Sequence, residues 1–133
     1  MIVVDPLFLD LDEAIEIHQD QITRYGGGPG IRDMGLLISA LAQPQATFGG
    51  RLLHADLPAM AAAYIFHIVQ NHPFIDGNKR CGLMCAYAFL ALNDHDLTAP
   101  EDDLEAVIWQ VAKSEADKDA VAAFLRRHVV PST

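Results

Sequence analysis

The sequence predicts an all-α protein, a compact bundle of about six helices with one small β-hairpin. Three observations support this fold class. Apolar residues recur at helical spacing along nearly the whole chain. Four of the predicted helices begin just after an aspartate that can cap them. The 133 residues, 51% of them apolar, are enough to enclose one core. We therefore expect a single domain over residues 1–133.

The first helix is predicted from residue 11 to residue 25. Apolar and aromatic positions from Leu11 to Tyr25 recur at steps of four and three, which places them on one face. Asp10 and Glu13 form a capping-box pattern at the start, and the three glycines at 26–28 end the helix.

Two further helices are predicted before residue 70. Asp33 caps a short second helix, which Pro44 ends. Asp56 caps a third, with Pro58 in its first turn. Residues 59–69 are apolar on almost every side, so the third helix is expected at the centre of the bundle.

The second half of the chain predicts three more helices. The fourth, residues 78–93, is also apolar nearly all round. Thr98 and Glu101 match a capping box that opens the fifth, in which Trp109 is expected in the core. Asp117 can cap the sixth.

Few residues remain for β-structure. Residues 1–4 are one candidate for a short strand. Residues 47–53 read TFGGRLL, in which a Gly-Gly pair lies between short β-prone segments, and this pattern predicts a hairpin.

Composition limits the class of function. The net charge is -9, from 9 Lys+Arg against 18 Asp+Glu, which argues against broad binding of nucleic acid or anionic membranes. No basic segment precedes an apolar one as in a signal peptide, and the apolar stretches are too short to span a bilayer. We expect a soluble, cytoplasmic protein that binds neither membranes nor nucleic acid directly.

Residues 71–80 read NHPFIDGNKR and contain the pieces of a phosphate-binding turn. Gly77 and Asn78 stand where the fourth helix begins, and free backbone N–H groups at a helix N-terminus favour an anion. Lys79 and Arg80 add positive charge, and a guanidinium can bind phosphate oxygens bidentately.

The same stretch offers a metal ligand and a base. Asp76 is a lone carboxylate beside the predicted phosphate site, and Mg²⁺ commonly takes one or two carboxylates together with phosphate oxygens. His72 precedes it by four residues and can accept the proton of an attacking hydroxyl. Phe74 is expected to anchor the turn in the core. Together these residues predict group transfer from a nucleotide to a hydroxyl.

The turn closely resembles the signature of the Fic/Doc family, H-x-F-x-D/E-G/A-N-x-R. The resemblance continues through YGGGPGIRD, LISALAQPQATFGG and FLALND, which are similar to the death-on-curing (Doc) branch. It implies a general base, a Mg²⁺ ligand and a set of residues that hold the phosphates of ATP, and it makes the hairpin a flap that pairs with an extended target segment. The general base is then His72 and the Mg²⁺ ligand is Asp76, while Gly77, Asn78 and Arg80 hold the phosphates. Lys79 joins the phosphate-binding residues through its charge and its place in the turn.

The resemblance also implies a reaction and partners. AMP-transferring members typically carry Gly and a second Arg where this chain has Lys79 and Leu83, and both differences match Doc. Doc toxins pass the terminal phosphoryl group of ATP to a threonine of elongation factor Tu, which stops translation, and a separate antitoxin protein inhibits them. At Gly77 this chain instead matches the AMP-transferring members, since Doc has alanine there.

Three other functions compete with a Doc-like kinase. The first is AMP transfer to a protein hydroxyl. The second is a catalytically idle, nucleotide-binding regulatory domain, which the complete set of site residues disfavours. The third is a metallohydrolase built on His54, His67 and His72, which the five-residue spacing of the last two disfavours.

Overall fold

A computed structural model describes residues 5–132 of the chain. These residues form six α-helices, which confirms the predicted fold class, while the strand predicted at residues 1–4 lies outside the described residues. A short 3-10 turn, Gln43–Gln45, follows the second helix and contains Pro44. The helices are α1 Leu11–Tyr25, α2 Met34–Ala42, α3 Leu57–Asn71, α4 Asn78–Leu92, α5 Glu101–Ala112 and α6 Lys118–Arg126.

The predicted aspartate caps are confirmed. Asp10 and Glu13 cap each other's backbone N–H groups at the start of α1. Asp33, Asp56 and Asp117 each accept the N–H three residues ahead, at 2.8–2.9 Å. Each of these side chains satisfies a donor that the first helical turn leaves without an intrahelical partner.

The capping box predicted for α5 is wrong, although the helix itself is present. Pro100 is the N-cap and contributes no side-chain hydrogen bond. The Thr98 hydroxyl donates instead to the carbonyl of His128, 3.0 Å away, and so joins the C-terminal segment to this part of the chain. A long-range partner thus replaces the local one that the pattern predicted.

Helix α3 lies at the centre of the bundle, as its composition predicts. It packs against α2, α4, α5 and α6. Tyr64 in the middle of α3 is fully buried, contacts Phe89 of α4, and accepts a hydrogen bond from the Leu9 N–H on its hydroxyl. Because α3 and α4 are held on several sides, the loop between them is attached to the most buried part of the protein.

The predicted hairpin is confirmed. Strands β1, Thr47–Phe48, and β2, Arg51–Leu52, pair antiparallel. Gly49 and Gly50 occupy the turn with φ of +60° and +79°, a conformation that favours glycine and matches the two-residue hairpin turn. Phe48 is 81% exposed, so the hairpin projects from the bundle.

A second antiparallel pair was not predicted. Strand β3, His95–Leu97, pairs with β4, Val129–Pro131. Each strand has three residues and shows no clear alternation of polar and apolar residues, so no local pattern predicts it. The pairing joins the segment that follows α6 to the segment that follows α4.

The expectation that Trp109 lies in the core is also wrong. Trp109 is 47% exposed, and Tyr25, at the end of the apolar stripe of α1, is 65% exposed. In α5 the core side is formed by Leu104, Ile108 and Val111, which leaves Trp109 to one side of the buried face. Both exposed rings border the cavity described below.

Among the described residues, no helix combines the length and the apolar character needed to cross a membrane.

Asp56 connects two ends of the bundle and provides a stability prediction. Its carboxylate caps α3 through the Ala59 N–H and accepts two hydrogen bonds from Arg126 at the end of α6, at 2.8 and 3.1 Å. Replacing Asp56 by alanine is expected to lower the free energy of unfolding by about 1–2 kcal/mol, mainly through the lost cap. Urea denaturation measures this value. The exposed ion pair between Asp20 and Arg24 is the control. Asp20→Asn should change the free energy of unfolding by less than about 0.5 kcal/mol.

The Asp56 pair also has a pH dependence of known sign. The hydrogen bonds from Arg126, followed by the one from the Ala59 N–H, lower the pKa of Asp56 against the opposing effect of burial. A carboxyl with a lowered folded-state pKa stabilises the fold above its unfolded pKa, near 4, and loses that contribution as the pH falls through the folded value. The difference in stability between the parent protein and Asp56→Asn should therefore be present at pH 7 and shrink below about pH 4. A difference that grew on acidification would contradict this assignment.

Candidate active site

The loop between α3 and α4 begins and ends in the left-handed backbone conformation. His72 directly follows α3 with φ +52°, and Gly77 precedes α4 with φ +75°. A positive φ is uncommon for a residue other than glycine. The His72 side chain is exposed and borders a cavity of about 750 Å³. The loop thus directs the imidazole out of the bundle.

The inner side of this loop is fixed by Phe74 and Asn78. Phe74 is fully buried, as predicted, and its ring stacks on that of His18 with the centroids 3.7 Å apart. The Asn78 amide accepts from the Phe74 N–H at 2.9 Å and donates to the Phe74 carbonyl at 3.0 Å. Both polar ends of the Asn78 side chain are therefore engaged in shaping the loop. The predicted contact of Asn78 with phosphate rests on its backbone N–H.

The outer side of the loop is held by residues 28–33, a contact that sequence analysis missed. Arg32 and Asp33 donate their backbone N–H groups to the Pro73 carbonyl at 2.7 and 3.0 Å, and Ile75 donates to the Gly30 carbonyl at 3.1 Å. By its composition alone, the glycine-rich stretch predicts only the end of α1. No local pattern indicates that it lies along a loop more than 40 residues away.

The Arg32 side chain binds the backbone beside His72. Its Nε donates to the His72 carbonyl at 2.6 Å, and its Nη2 donates to the Asn71 carbonyl at 2.9 Å. These carbonyls lie at the end of α3, where the helix leaves them without intrahelical partners and where positive charge is favourable. Arg32 therefore fixes the backbone from which the His72 imidazole extends.

Asp76 is an exposed carboxylate held by backbone groups. One oxygen accepts the Gly77 N–H at 2.8 Å and the other the Gly28 N–H at 3.2 Å. These hydrogen bonds, that from Gly28 first, lower the pKa of Asp76. The backbone carbonyl of Asp76 accepts a hydrogen bond from His18 Nε2 at 2.8 Å. A side chain at Gly27, with φ +115°, would come within 2.8 Å of the carboxylate, so this approach requires glycine.

The two cations of the motif contact aromatic rings on two different helices. The Lys79 ammonium is 4.6 Å from the centre of the Trp109 ring on α5. The Arg80 guanidinium is 4.8 Å from the centre of the Tyr25 ring on α1. Both residues belong to the N-terminal turn of α4, where the first intrahelical bond runs from the Cys81 N–H to the Gly77 carbonyl. The N–H groups ahead of Cys81 are therefore free of the helix ladder and can bind an anion.

The structure brings together the residues predicted for the site. All six border the same cavity. They are His72, Asp76, Gly77, Asn78, Lys79 and Arg80. Sequence analysis missed the supporting residues His18, Gly28 and Arg32, which reach the loop from 40 to 58 positions away.

The donor set at Asp76 fits Mg²⁺ bound together with phosphates. The site offers one ionised carboxylate whose oxygens each accept one N–H, and Mg²⁺ usually completes its shell with water and phosphate oxygens. Across residues 5–132 there is no group of three or more His, Cys, Asp or Glu side chains suited to a metal ion. This geometry gives the metallohydrolase interpretation no support.

His54 and His67 have structural partners. His54 Nε2 lies 3.1 Å from the Gln43 carbonyl. His67 Nε2 lies 3.2 Å from the Lys118 ammonium, which can donate to it. Burial first, and then the Lys118 charge, lowers the pKa of His67 to about 4, so His67 is neutral at physiological pH. Both rings are thus engaged away from the loop that carries His72.

Removing the Arg32 side chain should impair turnover more than nucleotide binding. Arg32→Ala frees the carbonyls at His72 and Asn71 but leaves the first turn of α4 unchanged. We expect kcat to fall about 10- to 100-fold, because a displaced catalytic group loses most of its effect, while KM for the nucleotide stays within about twofold. Steady-state kinetics separates the two values.

Two further variants test this role of Arg32. Arg32→Lys can still make one of the two hydrogen bonds and should recover part of kcat. Arg24→Ala removes an exposed arginine of α1 that contacts Asp20 only through a surface ion pair, so it should leave kcat unchanged. Equal losses in kcat and nucleotide affinity for Arg32→Ala would indicate general damage to the fold instead of a positioning role.

Comparison with known proteins agrees with these features. The sequence profile of a family described as Fic/DOC family matches residues 8–90. A protein named Toxin Doc from Mycolicibacterium smegmatis (strain ATCC 700084 / mc(2)155) is 39% identical over 103 residues, which cover 76% of this chain and 79% of the relative. A protein named Protein kinase doc from Escherichia phage P1 is 33% identical over 117 residues, covering 87% of this chain and 90% of the relative.

Proposed function

This chain belongs to the Fic/Doc family, and on that premise we propose that it is a Doc-type toxin of a toxin–antitoxin system. Its proposed activity is the transfer of the terminal phosphoryl group of ATP to a threonine hydroxyl of elongation factor Tu in the cytoplasm, which arrests translation. The observation that carries the proposal is that His72, Asp76 and the first turn of α4 border the same cavity.

His72 acts as the general base in this proposal. The hydroxyl oxygen of the protein substrate attacks the terminal phosphorus, and its proton passes to a nitrogen of the His72 imidazole. The bond between that phosphorus and the bridging oxygen breaks, and ADP leaves. The exposed ring is accessible to a protein substrate, and Arg32 keeps its backbone in place.

The phosphates lie at the N-terminus of α4. The N–H groups of Asn78, Lys79 and Arg80 point out of the first turn, and the positive end of the helix dipole attracts the same charge. The Lys79 and Arg80 side chains add two cations. Asp76 would hold Mg²⁺, which when bound neutralises phosphate charge and thereby favours transfer.

Lys79 and Leu83 support phosphoryl transfer over AMP transfer. A lysine in place of glycine adds bulk and charge to the phosphate-binding turn, which favours a different placement of the nucleotide. Gly77, which matches the AMP-transferring members, has a local cause of its own. Its φ is +75°, and a side chain there would lie 3.2 Å from the Ile22 methyl group. Glycine at this position therefore carries little information about which phosphate is attacked.

Two protein partners belong to the proposal. The target segment adds to the exposed edge of the β1–β2 hairpin, as in other strand-addition complexes. The inhibitor is a separate antitoxin protein, in keeping with the name Toxin Doc of the relative from Mycolicibacterium smegmatis.

The experiment that tests this function is intact-mass measurement of elongation factor Tu. The factor is incubated with the protein, ATP and Mg²⁺, and His72→Ala is the control. We expect a mass gain equal to one phosphoryl group that is absent in the control. A gain equal to AMP would replace the kinase by an AMP transferase. No gain would reject this target, and labelled ATP with whole-cell extract would then distinguish another protein target from an idle domain.

A further inference from the structure

The exposed side chain of Trp109 lies where it can contact a ligand. It is the single tryptophan of the chain, and although it belongs to an amphipathic helix it is 47% exposed and borders the cavity of the candidate active site. An exposed indole inside a concave site retains a large apolar area that a ligand can cover. The role of this side chain is not explained by packing, because α5 fills the core with other residues.

The position of Trp109 relative to the phosphate-binding turn restricts the ligand. The Lys79 side chain extends from the first turn of α4 to the indole and ends 4.6 Å from the ring centre. Phosphate at that turn competes with the indole for the Lys79 ammonium. Toward the start of α5, Glu101 and Glu105 also border the cavity and repel phosphate. Phosphates are thus favoured at the α4 end, and the indole lies one lysine side chain away from them.

We propose that Trp109 is the stacking surface for the base of the nucleotide whose phosphates bind at the start of α4. This inference rests on the proposed function and adds the residue that recognises the base. A flat heteroaromatic ring matches the indole in shape, and stacking tolerates any base that the remaining contacts accept. When the Lys79 ammonium moves from the indole to the phosphates, it leaves a ring face for the base.

Tyr25 is the competing aromatic surface. It is 65% exposed at the last position of α1, so a base stacked on it would remain largely in water. Its ring already faces the planar guanidinium of Arg80. The smaller ring and the greater exposure both predict a weaker contribution than that of Trp109.

The single tryptophan provides the first readout. Titration with ATP and Mg²⁺ should change the intrinsic fluorescence of Trp109 in a saturable way. Inorganic tripolyphosphate, which carries the phosphates without a base, should bind with a smaller change. ATP that binds by calorimetry without altering the fluorescence would overturn the inference, because a stacked base must perturb the indole.

Substitution provides the second readout. Trp109→Leu should weaken ATP binding about 10- to 100-fold, the range expected for the loss of one stacking contact, while tripolyphosphate affinity stays within about twofold. Trp109→Phe should lie between the parent protein and Trp109→Leu. Tyr25→Leu is the matched control at the other exposed aromatic ring of the cavity and should weaken ATP binding by less than threefold. Thermal denaturation verifies that each variant is folded.

The results separate two kinds of failure. If Trp109→Leu binds ATP as tightly as the parent protein, or if Tyr25→Leu alone weakens it, the base lies elsewhere and the proposed function stands. If Trp109→Leu weakens ATP and tripolyphosphate equally, Trp109 acts on the phosphate site and the inference fails. If the parent protein binds neither ligand in the presence of Mg²⁺, the proposed nucleotide-dependent function itself fails.

Discussion

Replacing His72 by alanine should reduce phosphoryl transfer by about 100- to 10,000-fold while ATP affinity and thermal stability change little. The imidazole is exposed, and none of the side-chain hydrogen bonds among residues 5–132 involves it, so its removal takes away a base and almost no packing. Single-turnover kinetics with the protein substrate measures the loss, and calorimetry measures ATP binding.

The backbone at His72 requires a second variant. Its φ of +52° lies in the left-handed region, which asparagine adopts more readily than alanine does. His72→Asn should therefore be at least as stable as His72→Ala and equally inactive. Added imidazole should restore part of the activity of His72→Ala, since the missing group is a proton acceptor. A variant at position 72 that still arrests growth at the parental level would reject the assignment of the base.

Asp76→Ala is expected to have the second largest effect, with activity reduced by at least about 100-fold. The carboxylate has two tasks in the structure: it carries the negative charge suited to Mg²⁺, and it accepts the N–H groups of Gly28 and Gly77. In the parent protein, Mg²⁺ should strengthen ATP binding. In Asp76→Ala this effect of Mg²⁺ should disappear, which calorimetry with and without the ion measures directly.

Asp76→Asn separates the two tasks of this side chain. Its amide oxygen can still accept one of the two N–H groups, but it carries no charge. We expect a thermal stability close to that of the parent protein together with the same loss of Mg²⁺ dependence as in Asp76→Ala. Parental activity of Asp76→Asn at ordinary Mg²⁺ concentrations would show that the charge at position 76 is not needed.

The pKa of Asp76 adds a test that involves pH. Backbone hydrogen bonds, that from Gly28 first, lower this pKa below its ordinary value, so the carboxylate is charged throughout the neutral range. Mg²⁺-dependent ATP binding should accordingly be independent of pH between about 5 and 8 as far as Asp76 is concerned. A decline centred near neutral pH must come from another group.

Local patterns predicted the helices and the signature loop because each rests on neighbours in the sequence. The aspartate caps act over three residues, and the glycine pair of the hairpin acts over two. The site residues lie within nine positions, so their grouping was visible in the chain.

The features that were missed or wrong depend on distant parts of the chain. Arg32 and Gly28 contact residues 72 and 76 across 40 and 48 positions, and no spacing rule reaches that far. Thr98 has the sequence of a local cap but binds His128 instead. Trp109 follows a buried position of α5, and periodicity does not show that the space beside it is a cavity.

The backbone hydrogen bonds between residues 28–33 and the loop between α3 and α4 also allow hydrogen exchange to monitor that loop directly. The amides of Arg32, Asp33 and Ile75 are engaged in the contact that supports His72 and Asp76. Exchange that requires these two segments to separate also disorders the loop that carries His72 and Asp76. The slowing of exchange therefore measures the free energy of that opening. A ligand that binds only the closed loop must slow the exchange of all three amides by the same factor.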